Sequence, residues 1–367
     1  MSLDELRIPN EDEARERAWQ VVRTAYEARE PVTWPRRHAR PLLAAAVVAA
    51  VVAAALSPPG RSVIRSLRKV VGVQNAQPEL FSLPAPGQLL VTSRGGAWIV
   101  HSDGSRRRLG AYRGATWSPH GLFIAGTRPN ELVALDPQGH VHWTLPRRSP
   151  RFPTWTGTRT DTRIAYLSEG QLRVVAGDGT GDRAIGSAAH VAPAWRPGAR
   201  HVVAYVARGG RAVVEDVDSG AVLFRTKRAT VAKLVWSDDG RLLLVFAPNL
   251  SRVYDRGGRL VGTEAPSDAT HDTDAKFVPG THRLAFIRFQ GLQSDVFTSP
   301  GGRLVFRGTG VFRQLAFSRN GHWLLITWPT ANQWVFVRNG RRKIVGAAQI
   351  ARQFGGFPRI EGWCCGS

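Results

Sequence analysis

The chain is 367 residues long, 43% of it apolar, with 50 basic against 28 acidic side chains and a formal charge of +22. That length holds one large domain or two ordinary ones. Its only cysteines, Cys364 and Cys365, exclude a disulfide framework and lack the second pair of ligands that a structural metal site needs. Adjacent cysteines rarely bridge each other, so the pair reads as free thiols or an intermolecular link.

Residues 1–40 are polar. Asn10 is a plausible cap with Glu13 three positions on, and Glu11–Glu30 has strong helix formers and no Gly or Pro. Ala14, Ala18, Val21, Val22, Ala25 and Ala28 recur at helical spacing. This helix reads either as a frayed cytosolic tail or as a docking element for a cytosolic protein partner through residues 11–30.

Residues 41–57 follow as a hydrophobic stem. Leu42 to Leu56 is an unbroken, Ala-rich apolar run between Pro41 and Ser57-Pro58-Pro59. It is shorter than the ~20 residues of an ordinary span. A cleaved signal peptide has a similar apolar length, but not a polar region of 40 residues ahead of it. An uncleaved signal anchor fits best, crossing the cell membrane once. Arg36, Arg37 and Arg40 put the N-terminus in the cytoplasm, although Arg61, Arg65, Arg68 and Lys69 blur the asymmetry. Residues 58–87 are a juxtamembrane zone: Gly60–Val73 has an apolar stripe and a basic face, which suits an interfacial helix, and Gln74–Gly87 is an extended Pro-rich linker.

From Gln88 to Trp363 short apolar strands alternate with Gly, Pro and Asp turns, the all-β pattern, and no helix is expected there. Trp117, Trp155, Trp195, Trp236, Phe277, Phe317 and Trp363 stand 38, 40, 41, 41, 40 and 46 residues apart. A period near 40 means one supersecondary unit reused. A second marker runs in phase: turns such as Ser102-Asp103-Gly104, Gly177-Asp178-Gly179, Asp218-Ser219-Gly220 and Arg338-Asn339-Gly340 suit tight hairpins. One unit reads as a strand ending at Thr116-Trp117-Ser118-Pro119, then strands at Leu122–Ala125, Leu132–Leu135 and Val141–Leu145. Four strands per ~40 residues is the blade of a propeller.

Trp117-Ser118-Pro119-His120-Gly121, Trp236-Ser237-Asp238-Asp239-Gly240 and Phe317-Ser318-Arg319-Asn320-Gly321 resemble the aromatic-Ser-Pro-Asp-Gly element of TolB-type and WD-repeat β-propellers. Trp195-Arg196-Pro197-Gly198 and Phe277-Val278-Pro279-Gly280 are shortened versions, and Thr154-Trp155-Thr156-Gly157 is the poorest match. No unit has the Gly-His and Trp-Asp pair of a strict WD repeat, so the resemblance leans to the TolB-like side. It covers residues 88–363, specifies architecture and says almost nothing of activity. Counting aromatic elements gives an all-β, seven-bladed propeller, where TolB-type relatives usually have six blades, the alternative here. The last inner strand, near Arg359–Trp363, would pair with the first strand, near Leu89, and close the ring, leaving residues 364–367 as a tail.

No Gly-x-Ser-x-Gly elbow, phosphate loop or His-Glu-x-x-His motif occurs. Asp268, His271, Asp272 and Asp274 form an oxygen-rich cluster in a loop between blades, but their spacing matches no cation loop. No catalytic residue, metal or cofactor is expected. In propellers of this kind, loops after the second and fourth strands share the face at the channel entrance. Here they contain Arg94, Arg113, Arg128, Arg147, Arg148, Arg151, Arg208, Lys227 and Arg228. Such a face attracts an acidic partner, whether anionic lipid, a wall polymer or an acidic protein. The alternative is solvated Arg on a polar surface, in a chain whose basic residues are scattered and nearly all Arg, as GC-rich coding produces. Nucleic acid is not expected, because stacking motifs for it are absent.

The sequence thus reads as an extracytoplasmic, membrane-anchored, non-enzymatic binding or scaffolding propeller. The alternatives are a transmembrane regulator of anti-sigma type, whose propeller senses outside, and a propeller lyase or hydrolase.

Overall fold

Each spacing of about 40 residues is one twisted, antiparallel, four-stranded sheet, and seven of them follow one another around a ring. The computed structural model describes residues 76–77, 82–158, 160–340 and 343–365. Blade 2 comprises Gly114–Trp117, Ile124–Arg128, Glu131–Leu135 and Val141–Pro146, and blade 3 Arg151–Gly157, Thr162–Ser168, Gln171–Ala176 and Arg183–Ser187. Blade 4 comprises Ala194–Trp195, Val202–Val206, Ala212–Asp216 and Ala221–Arg225, and blade 5 Lys233–Trp236, Leu242–Phe246, Ser251–Asp255 and Leu260–Glu264. Blade 6 comprises His271–Phe277, Leu284–Gln290, Gln293–Ser299 and Arg303–Thr309, and blade 7 Gln314–Phe317, Trp323–Trp328, Gln333–Arg338 and Ile344–Ala347. Blade 1 joins the two ends of the ring: Arg359–Cys364 lies innermost, then Gln88–Ser93, Gly96–Val100 and Arg106–Gly110.

Burial explains why these segments are strands of this kind. Second strands are sandwiched between neighbouring blades and are mostly apolar; Val202–Val206 and Trp323–Trp328 are buried at every residue. Outer strands alternate, as in Val141–Pro146 and Ala221–Arg225, because only one side meets another blade.

The aromatic-Ser element is a hairpin device. Ser118, Ser237 and Ser318 are buried, and each hydroxyl oxygen accepts the N–H that opens the second strand, from Phe123, Leu242 and Trp323 at 2.9, 3.0 and 3.0 Å. The glycine three residues later turns back with φ near +70°, a region in which a side chain is strained, and its N–H donates to the serine carbonyl.

Inner strands are stitched side to side. The indole N–H of Trp236 donates to Ala194 O at 3.1 Å, and that of Trp195 to Thr154 O at 3.0 Å, linking blades 5 to 4 and 4 to 3. Asp274 of blade 6 pairs with Lys233 of blade 5 and accepts from Leu315 N of blade 7 at 2.8 Å. Gln314 Oε1 accepts from Ile360 N at 3.0 Å, linking blade 7 to blade 1.

Closure runs as expected: Leu89 sits opposite Trp363 and Gln88 opposite Cys364. Ring closure leaves the first blade no unpaired inner edge.

Several expectations change. A helix, α1 (Ile350–Phe354), stands between blade 7 and the closing strand, with Ile350 and Phe354 buried, and its insertion accounts for the longest spacing. The second strand of blade 2 starts at Ile124, and Leu122 lies in the turn, 62% exposed. The linker is not wholly extended chain, because Ala76–Gln77 adds a fifth, parallel strand to Ile344–Ala347 and Leu83 and Ala85 are buried in the core. Cys364 and Cys365 are bonded to each other rather than free; φ of +52° at Cys365 turns the chain so that the two sulfurs meet. His271, Asp272 and Asp274 lie in the inner strand of blade 6, not in a loop. Among the described residues no helix is long and apolar enough to cross a membrane. The expected helix 11–30, the span 41–57 and the interfacial helix lie outside the described residues.

Candidate functional site: a basic arc over blades 3 and 4

Antiparallel hairpins alternate ends, so loops after second and fourth strands share one face, here called upper. Hydrogen bonds tie them in pairs: Ser149 N to Pro129 O, Ala188 N to Gly170 O and Ala229 N to Gly210 O. All nine expected residues lie in or beside these loops, but they do not act alike.

Two of the nine are neutralised. Arg147 is half buried and donates through Nε to Asp182 Oδ2 at 2.8 Å. Asp182 also holds Arg173 Nε at 3.0 Å and the Tyr166 hydroxyl at 2.7 Å. Burial raises the Asp182 pKa, but the hydrogen bonds from Arg173, Tyr166 and Arg147 outweigh it and leave it below the usual range. Arg128 pairs with Glu131 at 2.7 Å and stacks 4.8 Å above the Tyr112 ring. Arg94 and Arg113 are exposed; Arg94 follows the second strand of blade 1, and Arg113 precedes the inner strand of blade 2.

The remaining five form an arc. Arg148 and Arg151 come from the connection between blades 2 and 3, and Arg208 from the middle hairpin of blade 4. Lys227 and Arg228 come from the connection to blade 5, and all five are exposed. A cavity of about 320 Å3 opens beside Arg151, lined also by Ser149, Leu167, Ser168, Glu169, Gly170, Ala188, Ala189 and His190, and Arg148 and Arg208 reach two of these lining residues from outside. Arg151 Nη1 lies 3.4 Å from His190 Nε2, and the Phe152 and His190 rings meet edge-on at 4.8 Å. The guanidinium of Arg208 lies against Gly170, where a Cβ would collide with it. Glu169 supplies the only carboxylate in the lining and reaches Arg148 at 3.7 Å, both exposed, so that pair is weak.

Ser149, Phe152 and Glu169 all have positive φ, of +44°, +52° and +49°. Non-glycine residues enter that region at a cost of about 1–3 kcal/mol each, and they collect at sites where the surroundings hold them. His190, Glu169 and Ser149 had no motif to mark them; their sole sequence signal is position in an upper-face loop.

The inner channel is also polar. Glu361 accepts from Arg359 Nη2 at 2.7 Å and from Thr92, while its Oε2 has no hydrogen-bond partner among the described residues. Burial raises its pKa. Lys276 makes no ion pair among the described residues, and burial, together with the charge of Lys233, lowers its pKa to about 8. Asp272 and Asp274 are each taken by a cation, Arg288 and Lys233 respectively. Among the described residues no three His, Cys, Asp or Glu side chains are grouped to hold a metal.

No protein-family model matches the chain, and no curated protein matches it. Solved structures do. The β-propeller domain of Cps50 (Swd1) from Myceliophteria thermophila superposes with a TM-score of 0.50 at 13% identity, over 64% of this chain and 84% of that one. Hydrazine synthase of Kuenenia stuttgartiensis gives 0.49 at 14% identity, over 62% and 76%. At such identities the likeness is one of fold alone.

Proposed function

We propose that this chain is a non-enzymatic binding or scaffolding propeller, tethered to the cell membrane by residues 41–57 and engaging an acidic envelope component outside the cell. The observation that carries the reading is Arg151 lining one small cavity with a single carboxylate, on strained backbone, with Arg148 and Arg208 reaching its lining residues Glu169 and Gly170. Fixed cations around a concave surface favour anionic groups and speed their capture. The apolar run Leu42–Leu56 with Arg36, Arg37 and Arg40 ahead of it supports the tether and its orientation.

The test is binding of the purified protein to anionic vesicles, poly-glutamate and an anionic wall polymer across a salt series. Reversing Arg148, Arg151 and Arg208 to Glu lowers affinity for the true partner about tenfold or more and flattens its salt dependence. Reversing Arg241 and Arg259, on the lower face, leaves it unchanged. Equal losses from both sets, or no binding at low salt, rule the proposal out.

A second reading, a lyase or hydrolase using the channel, has Glu361 in its favour: a carboxyl of raised pKa lining a cavity of about 300 Å3 with Arg319, Trp117 and Trp363. Turnover of a glycan or ester that Glu361→Gln abolishes would establish it.

A further inference from the structure

On the lower face, between blades 2 and 3, lies a cavity of about 790 Å3 that belongs to neither the basic arc nor the channel. Its walls are fixed. Trp143, on the outer strand of blade 2, donates its indole N–H to Gly177 O of blade 3 at 2.9 Å. Gly179, with φ of +88°, makes room for that ring, since a Cβ there would stand 2.9 Å from it. Phe123 and Trp155 stack with centroids 6.4 Å apart and planes 21° apart, and His142 meets Phe123 edge-on at 5.0 Å. Leu122 stands in the same lining, 62% exposed.

The turn that presents Leu122 recurs around the ring. The residue after its glycine is Arg241 in blade 5 and His322 in blade 7. Nothing in the hairpin requires an apolar side chain there, and in blade 2 the exposed leucine is followed by the exposed Phe123. Rim polar groups are already engaged with one another. Asp178 Oδ1 accepts from Thr180 N and Oγ1 at 3.0 and 2.7 Å, Thr158 Oγ1 accepts from Asp161 N at 3.2 Å, and Asp136 faces His140 and His142 at 2.9 and 3.7 Å. Among the described residues Asp178 is the one carboxylate in the lining, held at its edge by Thr180, while the walls that a ligand would meet are aromatic and apolar. The volume falls within the ~300–1,000 Å3 of small-molecule sites, which are walled mainly by aromatic and apolar side chains.

We propose that this inter-blade cavity is a binding site for an uncharged, ring-bearing apolar small molecule, held against Trp143, Trp155 and Phe123. It stands independently of the basic arc. The test is titration of the full chain with N-phenyl-1-naphthylamine, a neutral fluorophore made of a naphthyl and a phenyl group, followed by its emission and by quenching of tryptophan emission. Saturable binding at one site is expected. Leu122→Arg, which introduces the residue of blade 5, and Phe123→Ser each raise the dissociation constant about tenfold or more, the first because a charge cannot be buried against the rings without loss and the second because it removes the ring stacked on Trp155. Leu223→Arg and Leu304→Arg, at exposed leucines elsewhere, leave it unchanged; circular dichroism confirms that all four variants fold. Non-saturable uptake, or equal affinity in the wild type and both lower-face variants, overturns the proposal.

Discussion

Arg147, just past the outermost strand of blade 2, donates through its Nε to Asp182, just ahead of the outermost strand of blade 3, at 2.8 Å, so two neighbouring blades share one ion pair. Asp182 is nearly buried and Arg147 one-third exposed, and Arg173 completes the cluster. Asp182→Asn leaves two guanidinium groups facing a neutral amide. Breaking a buried pair from one side costs about 3 kcal/mol or more, which a urea denaturation midpoint would record. The sign with pH follows from the lowered pKa: the contribution is complete above the ordinary aspartate range and is lost as acid protonates Asp182 in the folded state. A stability gap between variant and wild type that does not shrink as the pH falls through the folded-state pKa of Asp182 refutes the assignment.

The tryptophans of the inner strands separate into two kinds. Trp195 and Trp236 donate to the preceding blade, whereas the buried indole N–H of Trp155 has no partner among the described residues. Trp195→Phe and Trp236→Phe leave a carbonyl without its donor and each cost about 1 kcal/mol beyond the loss of ring volume. Trp155→Phe removes a donor that bonds nothing and costs less. Chemical denaturation of the three variants decides; equal losses contradict the stitching.

Lys276 makes stability rise with alkali. Its folded pKa of about 8 lies below the unfolded value of 10.5. Below about pH 8 both states carry the charge and the folded state bears its desolvation. Between about pH 8 and 10.5 only the unfolded state holds the proton, so stability increases with pH through that window. Lys276→Met abolishes the slope and raises the melting temperature at pH 7 by roughly 2–4 °C. Parallel melting profiles for the two proteins from pH 7 to 10 would discount the effect.

Gly121 and Gly280 share φ of +70° but not surroundings. Nothing lies within 4 Å of a Cβ built on Gly280, so Gly280→Ala costs only the left-handed penalty of about 1–2 kcal/mol. A Cβ on Gly121 would overlap Cys365 Sγ. Gly121→Ala is therefore the more destabilising by about 1 kcal/mol or more, and it displaces the bridged cysteines. Equal denaturation midpoints would show that the tail yields freely.

The ring was legible because a single turn chemistry, an aromatic followed by Ser and a left-handed Gly, is reused at one spacing. Blade number followed from Trp117 to Trp363, and the face of each arginine from the alternation of hairpin ends. What occupies an arginine was not legible: Asp182 reaches Arg147 only after a whole blade has folded back. Helix α1 carries too few residues to display a period. Leu122 read as strand because Leu122-Phe123-Ile124-Ala125 is apolar throughout, and only folding separates the two that face water from the two that face the core.

Gly87 lies so close to Cys364 that a Cβ on it would touch the carbonyl oxygen of that residue. The order in which the blades are synthesised is therefore not imposed by their geometry. A short linker from Cys365 to Ser82, with new ends cut between Ser267 and Asp268, gives a circular permutant in which blade 1 becomes a continuous internal unit. Its circular dichroism spectrum should keep the β-sheet signature of the ring, because closure rests on contacts between the first and last strands and not on the order in which the chain runs through them.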